Sequence, residues 1–265
     1  MYEERYIAFI DLLGFGTLVE KSSYNPELPQ KILSALLSLQ PQTIEEDAYA
    51  SINHEIAPNE EIENIKAALK EITAAMKSMH PVTITYFSDS LVLSAKADDI
   101  ISSQMILDML AKLSIKIWSE HSLLIRGGIT KGKLIHIENG PLFGPAMNKA
   151  YYLESKLAVN PRILMDSECY KSYKAVKTFN LFESLFEQDG EYYYASLGTA
   201  FRHIINDSSL VFAGERVLGK FRESLEKAPR ILASIEASFE DDRVKSKYQW
   251  LISEIEKRSH EIRQP

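Results

Sequence analysis

The 265-residue sequence predicts an α+β fold, and the first signs of it are two apolar runs that each lead to a carboxylate. Arg5 to Asp11 is rich in β-forming residues and apolar on both faces, which is typical of a central strand. The runs 82–87 and 91–95 predict a hairpin with Asp89 at its turn. Apolar residues at helical spacing between these strands and after them supply the helical part of the fold.

The elements of the first half follow from local signals. Gly14 and Gly16 permit a tight turn from the first strand into a helix, whose free N–H groups could hold phosphate oxygens. The stretch 29–39 has apolar residues at helical spacing. Residues 41–59 are polar and irregular, and 60–79 is again helical.

The second half continues with alternating strands and helices. The predicted elements are a helix over 98–121, a strand over 123–130, a hairpin turn at Lys131-Gly132, a strand over 133–137, a helix over 146–159 and a short strand over 162–165. The runs 179–186 and 192–196 form a last hairpin with Asp189-Gly190 at its turn. From 215 to 263 the pattern is all-helical, with a break near Pro229.

This order of elements is β-α-β-β-α-β, which predicts a ferredoxin-like sheet with helices on one face and a helical appendage at the C-terminus. The chain is accordingly divided into an α+β domain over 1–200 and a helical extension over 201–265. Because this fold supports many functions, the function of this chain depends on its site residues.

Net charge, cysteine content and the lengths of the apolar runs exclude several classes of protein. The net charge of −7 argues against a general nucleic-acid binder. The one cysteine, Cys169, leaves no disulfide framework or thiolate metal site and fits a reducing compartment. The N-terminus shows no signal peptide, and no apolar run approaches the roughly 20 residues of a membrane span. We therefore expect a cytoplasmic protein that binds neither nucleic acid nor membrane.

Asp11 and Asp89 are the candidate functional residues, since each stands at the end of a buried strand. A buried charge without a partner is costly, so a cation is expected beside them. Two aspartates on neighbouring strand ends form a ready site for a divalent metal ion and a polyphosphate. The structural alternative for Asp11 is that it caps the helix that follows Gly14.

Four motifs stand in one order over about residues 5 to 165. They are Phe9-Ile-Asp11-Leu-Leu-Gly14-Phe15, Phe87-Ser88-Asp89-Ser90, Ile125-Arg126-Gly-Gly128-Ile129-Thr130-Lys131-Gly132 and Gly144-Pro-Ala-Met-Asn148-Lys-Ala150-Tyr-Tyr152-Leu153-Glu154. Together they resemble the catalytic core of the class III nucleotidyl cyclases. The C-terminal helical part lies outside this resemblance.

The resemblance implies a set of roles. It implies two divalent metal ions, Mn²⁺ or Mg²⁺, held by Asp11 and Asp89 with the Leu12 carbonyl as a further ligand. Asn148 would orient the ribose and complete the catalytic set. The substrate-binding residues would be Gly14, Phe15, Thr85, Arg126, Lys131, Tyr152 and Arg162. The family's active sites lie between two subunits, which implies a homodimer acting on a nucleoside triphosphate.

Departures from the family's pattern bear on the substrate. Tyr152 stands where the family has an arginine that stabilises the transition state, and Arg162 is a candidate substitute. Thr85 and Pro141 stand at the positions that read adenine. This combination looks most like the bacterial antiphage pyrimidine cyclases of the Pycsar type, which make cyclic UMP or cyclic CMP for a separate cyclic-nucleotide-binding effector. The alternatives are a purine cyclase with a different base pocket and a catalytically inactive, nucleotide-binding regulatory domain.

The other candidates also have structural alternatives. Arg126 would instead be the partner of a core carboxylate or a surface cation. Asn148, early in its helix, would instead be a cap. Tyr152 would serve packing, and Lys131 would be a solvated turn residue.

Overall fold

The computed structural model describes residues 1–40, 78–206 and 214–261, with isolated positions between 64 and 75. The predicted irregular segment 41–59 lies outside the described residues, as does most of the predicted helix 60–79. The strands are β1 Glu3–Leu12, β2 Thr83–Phe87, β3 Ser90–Lys96, β4 Ile125–His136, β5 Leu142–Phe143, β6 Arg162–Asp166, β7 Glu187–Asp189 and β8 Tyr192–Ser196. The described α-helices are α1 Phe15–Ser22, α2 Leu28–Ser38, α3 Ile100–His121, α4 Pro145–Tyr152, α5 Ser167–Lys174, α6 Leu197–Asn206, α7 Gly214–Glu236 and α8 Asp242–Ser259.

The sheet has the strand order β2-β3-β1-β4-β6-β8-β7, and β5 pairs with β4. Its first four strands pair in antiparallel fashion in the order β2-β3-β1-β4. With α1 and α2 after β1 and α3 after β3, this is the ferredoxin-like arrangement, so the predicted α+β fold class is confirmed. The central position of β1 explains its apolar sequence, because both of its edges and both of its faces are covered.

Helices cover both faces of the sheet, and the expectation of helices on one face is wrong. Tyr6, Ala8 and Ile10 point into the main core, which includes the buried face of α3. Ile7 and Phe9 alternate with them and point to a second, smaller core under α4. Side chains of a strand alternate between faces, so a strand that is apolar throughout requires a cover on each side.

The helix α3 agrees with its predicted bounds. Asp99 caps its N-terminus by accepting a hydrogen bond of 3.1 Å from the Ser102 N–H. Ser122 ends it in the left-handed conformation with φ 54°. Among the described residues, no helix has the length and apolar character needed to cross a membrane.

The predicted turn at Lys131-Gly132 is wrong, because β4 runs without interruption from Ile125 to His136. Lys131 pairs with Tyr6 and Gly132 pairs with Arg5, so the long strand β1 continues to supply partners past the glycine. The hairpin forms later, where β4 pairs with β5. A glycine in a strand does not interrupt it while the neighbouring strand keeps the ladder paired.

Two other local predictions are corrected. The helix predicted over 146–159 consists of α4 followed by a π-helical turn, Leu153–Leu157. The run 179–186 is not a strand but lies in two short 3₁₀ segments, Lys177–Leu181 and Glu183–Leu185. The last hairpin, formed by β7 and β8, has its predicted turn at Gly190, with φ 60°.

The C-terminal helices contradict the predicted break at Pro229, since α7 continues through it and the break falls between α7 and α8. Leu225, Ala228 and Leu232 are buried along one face of α7, so tertiary packing offsets the cost of a proline inside the helix. Leu251 of α8 also lies in the main core. The proposed boundary between residues 200 and 201 falls inside α6, and the division into two domains stays a prediction.

Candidate active site

Asp11 and Asp89 lie at the same end of the sheet. Asp11 is the second-last residue of β1 and pairs with Ser90, the first residue of β3. Asp89 is in the two-residue turn before Ser90, and the Leu12 N–H donates a hydrogen bond of 3.1 Å to its carbonyl oxygen. The turn places Ser88 at φ 52°, a conformation uncommon outside glycine. This short turn therefore brings together two carboxylates that are far apart in sequence.

The two carboxylates affect each other electrostatically. Burial raises the pKa of the Asp11 carboxyl above its ordinary value. The charge of Arg126 opposes this rise in pKa, and the carboxyl of Asp89 reinforces it through its charge and a hydrogen bond. The site thus holds more negative charge than its neighbouring guanidinium offsets.

Arg126 is the counter-ion of this site. Its Nε and Nη2 both donate to the Oδ2 of Asp11, each at 3.2 Å, across the directly paired positions of β1 and β4. Arg126 therefore partners a carboxylate, as in the structural alternative to substrate binding. Only about a quarter of the Arg126 side chain is exposed, at 26%. A partly buried ion pair of this kind is weakly screened by salt.

Glu154 is a third carboxylate at the site, and no role was predicted for it from the sequence. Its Oε1 lies 2.7 Å from the Arg126 Nε, but without the angle of a hydrogen bond, so it is a buried oxygen with an ionic neighbour and no donor. Burial raises the pKa of Glu154, Arg126 opposes the rise, and Asp11 and Asp89 add to it. Glu154 could have been found from its spacing, because it follows the buried Ala146 and Ala150 at four-residue intervals.

Gly128 allows the helix that carries Glu154 to reach β4. A Cβ on Gly128 would overlap the carbonyl oxygen of Ala150 and lie 2.6 Å from the Cβ of Leu153. The junction between α4 and the π-helical turn therefore packs directly on the backbone of β4. This close approach brings the Glu154 carboxylate to Arg126, two residues before Gly128.

The donor set fits divalent ions that also bind substrate. Among the described residues, no group of three or more His, Cys, Asp and Glu side chains is arranged to hold a metal ion. Two carboxylates with excess negative charge suit Mg²⁺ or Mn²⁺ nonetheless, since Mg²⁺ is usually held by one or two carboxylates and completed by phosphate oxygens and water. Asp11 and Asp89 are the residues that would hold the ions, with the backbone of Leu12 adjacent.

The turn after β1 has the geometry expected of a tight connection. Gly14 takes φ 80° and is the N-cap residue of α1, which excludes the alternative that Asp11 caps this helix. Phe15 is buried in the main core, where it anchors the start of α1. Leu12 is buried on the same side of the sheet.

Two of the candidate residues are exposed on α4. Gly144 is the N-cap residue of α4 and no side chain caps the helix, so the alternative role of Asn148 as a cap is not observed. The Asn148 side chain is exposed. Tyr152 is 54% exposed, so it does not belong to the buried core.

Lys131 lies away from the two aspartates. It lies five positions along β4 from Arg126, about 16 Å away along the strand, and on the opposite face. Its Nζ donates to the Ser172 Oγ at 2.9 Å and lies 5.2 Å from the centre of the Tyr6 ring.

Arg162 lies in a cage formed by other side chains. Its Nη1 is 2.6 Å from the Asp189 carboxylate, and its guanidinium lies over the rings of Tyr194 and Trp250 at 5.2 and 5.6 Å. Trp250 belongs to α8, so the C-terminal helix reaches this end of the sheet.

Lys247 lies on α8 one turn before Trp250. The pKa of Lys247 is lowered by burial first and then by the charge of Arg126. The helix α8 therefore brings a second positively charged side chain within electrostatic range of Arg126.

Thr85 faces the same side of the sheet as Asp11 and is hydrogen bonded to a buried histidine. The Thr85 Oγ1 is 2.9 Å from His136 Nε2, and Ser94 Oγ is 2.8 Å from His136 Nδ1. Burial first, and then the charge of Arg5, lowers the pKa of His136 to about 4. His136 is therefore a neutral, structural histidine at pH 7.

We expect the His136→Gln variant to lose less stability than the wild type between pH 7 and pH 5. The folded pKa of His136 is below the unfolded value of about 6.5, so the unfolded chain binds more protons between these values and wild-type stability falls as the pH is lowered. This group contributes about 1–2 kcal/mol to that loss. Urea unfolding at both pH values measures it, and identical losses for the two proteins would contradict a neutral His136.

Comparison with solved structures shows that the chain is similar to bacterial adenylyl cyclases. The chain is similar to the adenylyl cyclase CyaB from P. aeruginosa, with 17% identity over 74% of this chain and 94% of that chain and a TM-score of 0.42. It is also similar to a bacterial light-regulated adenylyl cyclase, with 15% identity over 83% of this chain and 99% of that chain and a TM-score of 0.36. No protein-family model and no curated protein matches this sequence.

Proposed function

We propose that this chain is a nucleotidyl cyclase, a phosphorus–oxygen lyase that converts UTP or CTP into the 3′,5′-cyclic nucleotide and pyrophosphate. The observation that carries the proposal is the meeting of Asp11 and Asp89 at one end of the sheet. Their negative charge exceeds what the Arg126 guanidinium, the ion-pair partner of Asp11, offsets. A site for divalent cations and a triphosphate requires such an excess.

The site residues would act mainly by positioning and electrostatics. Divalent ions, when bound, would lower the pKa of the ribose 3′-hydroxyl and offset charge on the triphosphate. Asp11 and Asp89 would hold the ions at the end of the sheet, with the Leu12 carbonyl as a further donor. The free N–H groups at Gly14 and Phe15 would face phosphate oxygens at the start of α1.

The proposal includes a homodimer with the active sites at the subunit interface. Asn148 and Tyr152 are exposed on α4, which covers the face of the sheet to which Asp11 also belongs. Tyr151 and Phe143 are exposed near them, at 53% and 49%. Exposed aromatic side chains of this kind are enriched at protein interfaces. In the dimer, Asn148 of one subunit would orient the ribose bound at Asp11 of the other.

The preference for a pyrimidine rests on the residues at the base-reading positions. Thr85 is hydrogen bonded to the neutral His136, and Pro141 has neither a charge nor an N–H to offer. These positions therefore lack the charged pair with which the class III nucleotidyl cyclases, the family that this sequence resembles, read adenine. The product would serve as a second messenger for a separate cyclic-nucleotide-binding effector in antiphage defence.

The proposal is tested by incubating the full chain with ATP, GTP, CTP and UTP separately, in the presence of Mn²⁺, and identifying the products by mass spectrometry. We expect a cyclic pyrimidine nucleotide and pyrophosphate from UTP or CTP, and no product when EDTA removes the metal. A cyclic purine as the main product would contradict the pyrimidine preference. The absence of any turnover would favour a regulatory, nucleotide-binding role.

A further inference from the structure

Arg126 is shared between two carboxylates that differ in their access to solvent. Asp11, with a side chain 16% exposed, accepts two hydrogen bonds from it, and Glu154, with a side chain 3% exposed, lies 2.7 Å from its Nε. The guanidinium therefore satisfies the carboxylate where a cation would bind and leaves the Glu154 Oε1 without a hydrogen-bond donor. The Nε of Arg126 is already within hydrogen-bond distance of this oxygen and only its angle is unfavourable, so the arrangement favours a rotation of the guanidinium that directs an N–H at Glu154.

The position of Glu154 is fixed by packing, whereas the Arg126 side chain, which contacts both carboxylates, can move. The π-helical turn that carries Glu154 packs against Gly128, where a side chain would overlap the backbone. Single π-helical turns often occur at functional sites in helices. The position of Glu154 is thus built into the contact between this turn and β4, and the long side chain of Arg126 is the part that can move.

We propose that Glu154 is a positioning residue that receives Arg126 when a divalent cation occupies Asp11. Arg126 is the counter-ion of Asp11 and would compete with a bound cation for the Asp11 Oδ2. Glu154 then retains the displaced guanidinium within the site by a charge-assisted hydrogen bond, where its remaining nitrogens face the triphosphate. This inference rests on the proposed function, since it concerns the same metal site.

The proposal predicts opposite signs for two charge-removing substitutions. Arg126→Gln removes the competitor, so the affinity of the chain for Mn²⁺ alone rises several-fold. Glu154→Gln removes the charge that receives Arg126, so the guanidinium stays on Asp11 and the affinity for Mn²⁺ falls by about tenfold, as is common for residues that orient metal ligands. A purely structural role for the ion pair would make both variants bind Mn²⁺ less well or unchanged.

Mn²⁺ binding to the full chain is measured by titration calorimetry and by electron paramagnetic resonance of free Mn²⁺, with thermal unfolding recorded for each variant. Glu254→Gln is the matched control, because it breaks a comparably buried pair with Arg258, at 3.0 Å, on α8. It is expected to lower stability and to leave the Mn²⁺ affinity unchanged.

The possible results separate this inference from the proposed function. If the wild type binds Mn²⁺ and both Arg126→Gln and Glu154→Gln bind it within twofold of the wild type, the positioning role is overturned while the cyclase proposal stands. If the wild type binds no Mn²⁺, alone or with a nucleoside triphosphate, both are overturned. If Glu154→Gln does not fold, Arg126→Gln decides the question, since a fall in its Mn²⁺ affinity contradicts competition at Asp11.

Discussion

Replacing Asp89 by alanine is expected to abolish cyclic nucleotide formation while leaving the fold intact. Asp89 is one of two carboxylates proposed to hold the metal ions, and the loss of metal-assisted charge stabilisation costs several kcal/mol, on the order of a thousandfold in rate. The Asp89 charge also raises the pKa of Asp11, so its removal relieves a repulsion in the metal-free chain. We therefore expect a melting temperature that is no lower than that of the wild type.

The measurement is product formation from UTP and CTP in parallel with thermal unfolding. Asp98→Ala is the matched control. Asp98 is an exposed aspartate just beyond the C-terminal end of β3, whereas Asp89 precedes the N-terminal end of that strand. The control is expected to retain the wild-type rate. A fully active Asp89→Ala variant would remove Asp89 from the mechanism, and a variant that is both inactive and unfolded would assign it a structural role.

The second large effect is expected for Gly128→Ala, which should destabilise the chain by about 3 kcal/mol, near the upper end of the usual cost of overpacking. The added methyl group would overlap the Ala150 carbonyl and lie 2.6 Å from the Leu153 Cβ. Neither of these neighbours is the flexible end of a side chain, so the junction of α4 and the π-helical turn must move away from β4. At about 2–4 °C per kcal/mol, the melting temperature would fall by about 6–12 °C.

Gly132→Ala, on the same strand, provides the comparison. The nearest atom to a Cβ at this position is the Cβ of Ala146, at 3.5 Å, which is an ordinary van der Waals contact. We expect a change within about 1 kcal/mol, with a slight stabilisation from the reduced freedom of the unfolded chain. Equal melting temperatures for the two variants would show that the packing of α4 on β4 tolerates a side chain at Gly128.

Much of the fold follows from signals within a few residues of each other. The strand β1, the hairpin that carries Asp89 and the capped start of α3 at Asp99 were all predictable, because strand propensity, turn residues and caps act locally. The sequence also predicted the pair of aspartates as a unit. That prediction needed only the topology, since antiparallel neighbours place the end of β1 beside the turn before β3.

Other features depend on residues that are distant in sequence. Lys131 and Gly132 resemble a turn, but the partner strand β1 holds them in a continuous β4. Pro229 resembles a helix break, but the burial of one face of α7 in the main core keeps the helix continuous. In both cases a tertiary contact outweighs a local preference of about 1–3 kcal/mol.

The amino-acid sequence by itself determined the order of the elements, the ferredoxin-like sheet and the pair of aspartates at its end, because apolar periodicity and short turns specify these features locally. Only the tertiary structure decided that Arg126 is shared between Asp11 and Glu154 and that Lys131 faces the other side of the sheet. The physical reason is that an ion pair depends on the distance between side chains after folding. That distance is set by the register of β1 on β4 and by how closely α4 packs on Gly128.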